Sequence, residues 1–306
     1  MRNESENGAG RIFRDRRLDE ITDILPPDVR RAVSAAASDA ASLLGGAPSV
    51  SEIRLRVGGI SSIASGGRTF PLRVTVSPDK MSEIIRALTE GSLYAHADTI
   101  RDGYIFSHGV RCGICGRAVV RGGKIDSVCD ITSVTMRIPH DVNGCASGVF
   151  RIFSSELKSA RGIIVYSPPG VGKTTLLRDF ILAASRRLNV AVADERGELY
   201  RNDASGSVDY LIGYPKHTAI IQAVRSLSPS LIICDELFGE DDADAAMYAY
   251  SCGVPLIASA HAGNFAELSA RLDISRLTDA RAFGCCVGIS RTAGGGSFSL
   301  ETEYLS

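Results

Sequence analysis

The chain has 306 residues, of which 44% are hydrophobic and 23% are charged, and its net charge is −1. This composition is typical of a globular protein with one large or two ordinary domains, and it excludes a disordered or fibrous chain. A net charge so close to zero gives no overall field that would attract nucleic acid or anionic lipid. No apolar run approaches the roughly 20 residues of a membrane-spanning helix, and the polar N-terminus lacks the apolar segment of a secretory signal. We therefore expect a cytoplasmic protein whose eight cysteines are mostly reduced.

The first half of the chain predicts a small α+β domain that follows a mobile N-terminus. Residues 1–17 are polar and of mixed charge, so we expect them to be mobile. Residues 18–45 have a helical pattern that two adjacent prolines interrupt and two glycines end. Alternating patterns at 50–76 and 100–125 predict short strands and hairpins with glycine turns. We assign this α+β domain to residues 18–150.

The second half, residues 151–306, has the pattern of a parallel α/β sheet. Apolar runs of strand length alternate with helical stretches, and such continuous runs are typical of parallel strands that are covered on both faces. The runs are GIIVYS, VAVAD, LIICD, VPLIASA and CVGIS. Alternating βα units predict a three-layer domain, with helices on both sides of the sheet.

A phosphate-binding loop is predicted between the first of these strands, at 162–166, and a helix that begins near Thr174. The pattern G-x-x-x-x-G-K-[ST] is matched at its end by Gly172, Lys173 and Thr174. Ser167 occupies the position of the first glycine in this pattern. If that position required a positive φ, serine would be less suited to it than glycine.

Such a loop predicts a site for ATP and Mg²⁺. Its glycines let backbone N–H groups cradle phosphate oxygens, and the N-terminus of the following helix adds positive potential. Lys173 would reach the β- and γ-phosphates, and the Thr174 hydroxyl would hold Mg²⁺. The nucleotide-binding residues are predicted to be Pro169, Gly170, Val171, Gly172, Lys173, Thr174 and Thr175.

The strand LIICD carries two acids to its carboxyl end, which is the edge where α/β sheets place ligand chemistry. Phosphoryl transfer needs an acid that holds the metal and a group that positions the attacking water. We therefore predict that Asp235 holds Mg²⁺ and that Glu236 polarises the water.

Two further strand ends carry candidate catalytic residues. His261 follows VPLIASA and would lie beside the γ-phosphate; a solvent-exposed histidine in a loop is the alternative. Asp194, Glu195 and Arg196 lie at the end of VAVAD. We expect either Asp194 or Glu195 to complete the set of groups around the metal or around the attacking water. Glu195 is the candidate for the catalytic set. The predicted catalytic set is Lys173, Glu195, Glu236 and His261.

Cys112 and Cys115 form a single C-x-x-C motif, and two interpretations of it stay open. A zinc site needs about four ligands, and Cys129 and Cys145 are the cysteines that would complete one. Alternatively, these cysteines are free thiols that are buried as small hydrophobic side chains.

The order of the motifs resembles that of the hexameric secretion ATPases of type II and type IV pilus systems. Those proteins carry a P-loop, an acidic box, an acidic strand and a histidine box. Here the P-loop is followed by DERGEL, VRSLSPSLIICDE and GEDDADAAMYAYSCGVPLIASAHAGN. A closer resemblance is to the stage III sporulation AA family of spore-forming bacteria, over roughly residues 20–300. SEIRLRVGG, RDGYIFSHGVRCGICGRAVVRGGKI and DITSVTMRIPHDVNGC also fit the pattern of that family.

The resemblance implies a RecA- or AAA+-like ATPase that uses ATP and Mg²⁺ and assembles as a homo-hexamer. It places the protein at the cytoplasmic face of a membrane, on the mother-cell side of a channel to the forespore. The partners that it implies are the membrane proteins of this stage III sporulation channel. It also implies that arginines of the first domain reach the nucleotide, and Arg111 and Arg117 are the candidates.

Two other functions stay open on the sequence. One is a nucleic-acid-stimulated motor with the same core, which the near-neutral charge and the lack of a basic tail disfavour, so no nucleic acid is expected as a partner. The other is an ATP-binding scaffold that does not hydrolyse ATP. The intact Lys173, Thr174, Asp235 and Glu236 disfavour such a scaffold.

Overall fold

The computed structural model describes residues 16–46, 50–156, 161–201, 203–204, 206–291 and 298–305. The chain divides into two compact units, Met1–His140 and Asp141–Ser306. The sequence prediction placed this division after residue 150, and most of the predicted mobile N-terminus lies outside the described residues. Within the described ranges, no helix combines the length and the apolar character needed to cross a bilayer.

The first unit is an α+β domain whose strands form one antiparallel sheet in the order β3-β2-β1-β6-β5-β4. Its helices are α1 (Arg16–Asp23), α2 (Pro27–Leu44), α3 (Pro78–Leu88) and α4 (Ala97–Arg101). Its strands are β1 (Val50–Arg56), β2 (Ser62–Ser65), β3 (Arg68–Pro71), β4 (Tyr104–Ser107), β5 (Val110–Arg121) and β6 (Lys124–Arg137).

Local signals in the sequence set the ends of these helices. Helix α2 has a proline in its first turn, where the missing N–H costs no hydrogen bond. It ends at Gly45, whose φ of 69° is left-handed and whose N–H donates to the carbonyl oxygen of Ala41. Helix α3 begins after Ser77, whose side chain accepts a hydrogen bond from the N–H of Lys80. The helical prediction for residues 18–45 is therefore confirmed, with a break between α1 and α2.

The second unit is built on a sheet whose strands lie in the order β13-β12-β7-β11-β10-β8-β9. All neighbouring strands are parallel except β13, which is antiparallel to β12. The strands are β7 (Gly162–Ser167), β8 (Val190–Asp194), β9 (Val208–Ile212), β10 (Leu231–Glu236), β11 (Leu256–His261), β12 (Phe283–Arg291) and β13 (Phe298–Tyr304). The helices are α5 (Ser147–Glu156), α6 (Lys173–Ala184), α7 (Lys216–Ser226), α8 (Glu240–Ser251), α9 (Phe265–Ser269) and α10 (Leu272–Asp279).

Helices cover both faces of this sheet, which confirms the predicted three-layer α/β fold. Alternate residues of β7 enter different cores, because successive side chains on a strand point to opposite faces. Ile163 packs in one core with residues of α5 and α6. Ile164 packs in the other core with residues of α7, α8 and α10.

The five predicted strands are present, whereas β9 and β13 were not predicted. Both lie at the edges of the sheet, and their residues are half-buried or exposed apart from the buried Leu211 of β9. An edge strand that is covered on one face only does not need a continuous apolar run. A search for continuous apolar runs, which identifies the buried strands, therefore does not identify β9 and β13.

Candidate functional site

The loop between β7 and α6, where a phosphate-binding loop is predicted, contains two glycines with positive φ. Gly170 and Gly172 have φ values of 77° and 126°, a region that favours glycine. A Cβ atom at Gly172 would also lie 3.0 Å from the ring of Phe298. Ser167 is the last residue of β7 and is not among the residues with positive φ. Serine is therefore accommodated at this position without backbone strain.

The Lys173 side chain is buried beneath this loop and bonds to the loop itself. Its Nζ atom donates to the carbonyl oxygen of Ser167 at 2.9 Å and to Nδ1 of His261 at 2.8 Å. Burial lowers the pKa of Lys173, and the charge of Glu236 opposes this shift. Phosphate oxygens at the loop would offer this ammonium a stronger, charged acceptor than a carbonyl oxygen.

His261 lies beside the loop because β11 runs parallel to β7, in a register that pairs His261 with Ser167. An ammonium group can only donate, so Nδ1 of His261 accepts from Lys173 and the ring proton lies on Nε2. Nε2 is 3.3 Å from Oε2 of Glu236. The structure therefore joins three residues of the predicted catalytic set, Lys173, His261 and Glu236, in one chain of contacts.

The two acids at the end of β10 have different surroundings. Oδ1 of Asp235 lies 2.8 Å from Nζ of Lys216, whereas Glu236 faces His261. The Asp235 side chain is 14% exposed and that of Glu236 is 32% exposed. Adjacent residues on a strand point to opposite sides, so the two carboxylates are available for different tasks.

Lys216 was missed by the sequence analysis. It is the first residue of α7 and is buried, and Nζ also contacts the carbonyl oxygen of Glu236 and Oδ2 of Asp242. Burial opposes its charge, but Asp235 and Asp242 outweigh this effect and raise the pKa of Lys216. A single lysine at a helix start carries no motif, so only the packing of α7 against β10 could identify it.

Arg291 at the end of β12 was also missed. Its Nε atom donates to the carbonyl oxygen of Val171 at 2.7 Å, so the side chain ties β12 to the phosphate loop. A cleft of about 590 Å³ lies against the loop and is lined in part by Pro168, Gly170, Arg291 and Glu301.

The segment DERGEL begins with an acid that has a structural role, Asp194, the last residue of β8. Asp194 is fully buried, and its carboxylate accepts three backbone N–H bonds at 2.8–2.9 Å from Glu198, Leu199 and Tyr200. Burial, and then the charge of Asp235, raise the pKa of Asp194 to about 7. Glu195 is exposed and, within the described part of the chain, makes no side-chain hydrogen bond or ion pair. The structure therefore does not connect Glu195 to the chain of contacts that joins Lys173 to Glu236.

The residues present fit a nucleotide with a divalent cation. Pro169 and Gly170 are exposed, and Val171, Thr174 and Thr175 are half-buried, so this edge of the loop and of α6 is open to a ligand. The backbone N–H groups at a helix N-terminus suit phosphate. A threonine hydroxyl and a carboxylate oxygen are ligands that Mg²⁺ prefers. Thr174 and Asp235 are the residues that would hold Mg²⁺.

The comparisons with known proteins identify the family. A family model described as "Sporulation stage III, protein AA" matches residues 15–299. The chain belongs to this family. Stage III sporulation protein AA of Bacillus subtilis (strain 168) is 27% identical over 296 residues, covering 92% of this chain and 94% of that protein.

Solved structures of an ATPase and of a pilus retraction motor share the fold of this sporulation stage III family member. The ATPase DotB of Legionella pneumophila has a TM-score of 0.56 at 17% identity, covering 90% of this chain and 80% of its own. The pilus retraction motor PilT with bound ADP has a TM-score of 0.56 at 14% identity, covering 88% of this chain and 82% of its own. The protein therefore has an ATPase-like, RecA-like fold.

The remaining candidates lie in the first unit. Arg111 stacks over the ring of Tyr104, with its Cζ atom 3.9 Å from the ring centroid, and Arg117 pairs with Asp130 at 2.7 Å. Their contact with nucleotide stays a prediction.

Among the described residues, the eight cysteines are free thiols, and no group of three or more metal-binding side chains is placed to hold an ion. Cys112 and Cys145 are buried. Cys115 is exposed, so the expectation of a buried thiol is wrong there. It lies on the half of β5 that extends beyond its pairing with β4, where packing does not cover it.

Replacing His261 by alanine should slow ATP hydrolysis by about 10–100-fold, the scale for removal of a group that orients a catalytic ligand. We expect ATP affinity near that of the wild type, because the backbone of the loop and Lys173 remain. ATP titration and turnover at saturating ATP measure the two effects. His96→Ala, in the first unit, is the matched control. If affinity falls while saturated turnover is unchanged, His261 has no role in hydrolysis.

Proposed function

We propose that this protein hydrolyses ATP with Mg²⁺ and that hydrolysis powers or assembles a membrane-spanning, secretion-like channel during sporulation. The observation that carries the proposal is the chain of contacts from Lys173 through His261 to Glu236. It links the group that would hold the phosphates to the group that would position water. The family, and the fold shared with the ATPase DotB and the pilus retraction motor PilT, support the same conclusion.

Each residue of the site has a distinct proposed task. Backbone N–H groups of the loop bind phosphate oxygens, and Lys173 leaves the Ser167 carbonyl to contact the β- and γ-phosphates. Thr174 and Asp235 would hold Mg²⁺, which would neutralise charge on the phosphates when bound. Glu236 would orient the attacking water, and His261, whose Nε2 lies 3.3 Å from Oε2 of Glu236, would sense whether the γ-phosphate is present.

We also propose that the protein acts as a homo-hexameric ring on the cytoplasmic face of the mother-cell membrane. Head-to-tail interfaces that close produce rings, and a ring suits a machine attached to a channel. The partners would be the membrane proteins of the stage III sporulation channel. The family name and the similarity to DotB and PilT support this assignment.

Two measurements test the proposed function. The purified full chain should hydrolyse ATP in the presence of Mg²⁺, with no stimulation by added DNA or RNA. In sporulating cells, the tagged protein should co-purify with proteins of the membrane fraction, and Glu236→Gln should increase their recovery. ATP binding without turnover would support the scaffold alternative, and stimulation by nucleic acid would support the motor alternative. If the protein hydrolyses ATP but co-purifies with no membrane protein, the channel assignment is rejected and the ATPase assignment stands.

A further inference from the structure

The buried Lys216 contacts three groups, two at the end of β10 and one in the first turn of α8. Nζ lies 2.8 Å from Oδ1 of Asp235 and 3.6 Å from Oδ2 of Asp242, and it donates to the carbonyl oxygen of Glu236. The side chain is only 8% exposed, so these oxygens replace nearly all of its hydration. A buried ammonium group is tolerated where it is paired in this way.

The contacts to two consecutive residues constrain both acids. The ion pair uses one carboxylate oxygen of Asp235 and leaves the other oxygen available to a cation. The hydrogen bond to the carbonyl oxygen of Glu236 orients the peptide at the point where β10 ends. The Glu236 side chain then reaches His261, at 3.3 Å. One lysine therefore restrains the two residues that the proposed function uses for metal and for water.

Asp242 extends this restraint into the turn before α8. It lies in the first turn of α8 and is buried, and it accepts a hydrogen bond from the N–H of Phe238 at 3.1 Å. Lys216 thus connects the start of α7, the end of β10 and the start of α8. A side chain with this position can control the geometry of the acids without touching the nucleotide.

We propose that Lys216 is a positioning residue that holds Asp235 toward the Mg²⁺ shell and Glu236 toward the attacking water. This inference rests on the proposed ATPase function. The alternative is an ion pair that stabilises the fold and has no effect on the metal. The two differ in one measurable property, the gain in ATP affinity that Mg²⁺ confers.

Lys216→Met removes the charge and keeps most of the length of the side chain. We expect the variant to bind ATP without Mg²⁺ as the wild type does, and to lose roughly 10–100-fold of the affinity that Mg²⁺ adds. Nucleotide titrations with and without Mg²⁺ measure this, and a melting curve checks the fold. Lys80→Met, which removes a lysine–aspartate pair with Asp28 in the first unit, is the matched control and should change neither affinity.

A double-mutant cycle with Asp235→Asn separates positioning from general stability. If Lys216 acts through Asp235, Lys216→Met should add little to the loss caused by Asp235→Asn, because residues in one network are not additive. Additive losses, or an unchanged Mg²⁺ effect in folded Lys216→Met, would overturn the proposal.

If Lys216→Met does not fold, Lys216→Arg is the second variant. Arginine keeps the charge, but its planar fork cannot reproduce the three contacts of a lysine ammonium. We expect the gain in ATP affinity that Mg²⁺ confers to fall in this variant too. An unchanged gain would overturn the inference. A wild-type protein that binds no Mg²⁺-ATP would instead contradict the proposed function, whatever the variants show.

Discussion

Replacing Glu236 by glutamine should slow ATP hydrolysis by about 10²–10⁴-fold, the scale of lost general-base or positioning catalysis. The substitution keeps the shape of the side chain and one acceptor oxygen, so we expect the fold to survive. Lys173, Thr174 and Asp235 are unchanged, so the affinity for Mg²⁺-ATP should stay near that of the wild type. Single-turnover hydrolysis, together with ATP titrations with and without Mg²⁺, measures both quantities.

The paired control for this variant is Asp235→Asn, which should weaken Mg²⁺-dependent binding instead. Glu236→Gln should also trap ATP and hold the proposed ring together in its nucleotide-bound form, which sedimentation would detect as a persistent oligomer. Hydrolysis by Glu236→Gln at the wild-type rate would show that the group that activates water lies elsewhere. Glu195 would then be the next candidate, because it follows β8, the neighbour of β10 in the sheet.

Replacing Lys173 by alanine should remove ATP turnover and most nucleotide binding. Charge-assisted hydrogen bonds to phosphate are among the strongest that a protein makes, and Lys173 is the cation that we expect to contact the phosphates. Turnover assays and nucleotide titrations on the purified variant measure the loss. Wild-type turnover in this variant would contradict the phosphate-loop assignment.

The Lys173→Ala experiment needs a check of the fold, because the ammonium is buried and has partners within the protein. Without it, the Ser167 carbonyl and Nδ1 of His261 each lose a donor. A melting curve separates lost stability from lost binding. Lys124→Ala is the control, because Lys124 is exposed at the turn between β5 and β6 and should tolerate the change.

Much of the second unit could be predicted from local pattern. Continuous apolar runs identified the buried strands, and the G-x-G-K-T spacing predicted a loop between a strand and a helix, where the structure has one between β7 and α6. The acids of β10 and the histidine of β11 were assigned to strand ends, where the structure has them. These features depend on residues that are close in sequence, and the order of parallel strands brings their carboxyl ends together.

Contacts between distant segments could not be predicted in this way. Lys216 and Arg291 reach the site from α7 and β12, and neither belongs to a recognisable spacing. The roles of the acids in the segment DERGEL also could not be predicted, because the sequence does not show which of them is buried. Asp194 holds the turn by three backbone hydrogen bonds, whereas Glu195 is exposed.

The amino-acid sequence alone determined the α/β class, the glycine-rich loop between β7 and α6 and the residues at the strand ends, because backbone conformation and strand burial follow local composition. The tertiary structure decided how these residues are connected. The register of β11 on β7 brings His261 to the loop, and the packing of α7 on β10 brings Lys216 to Asp235. These links join residues far apart in the chain, and only the packing of the sheet and its helices brings them within hydrogen-bonding distance.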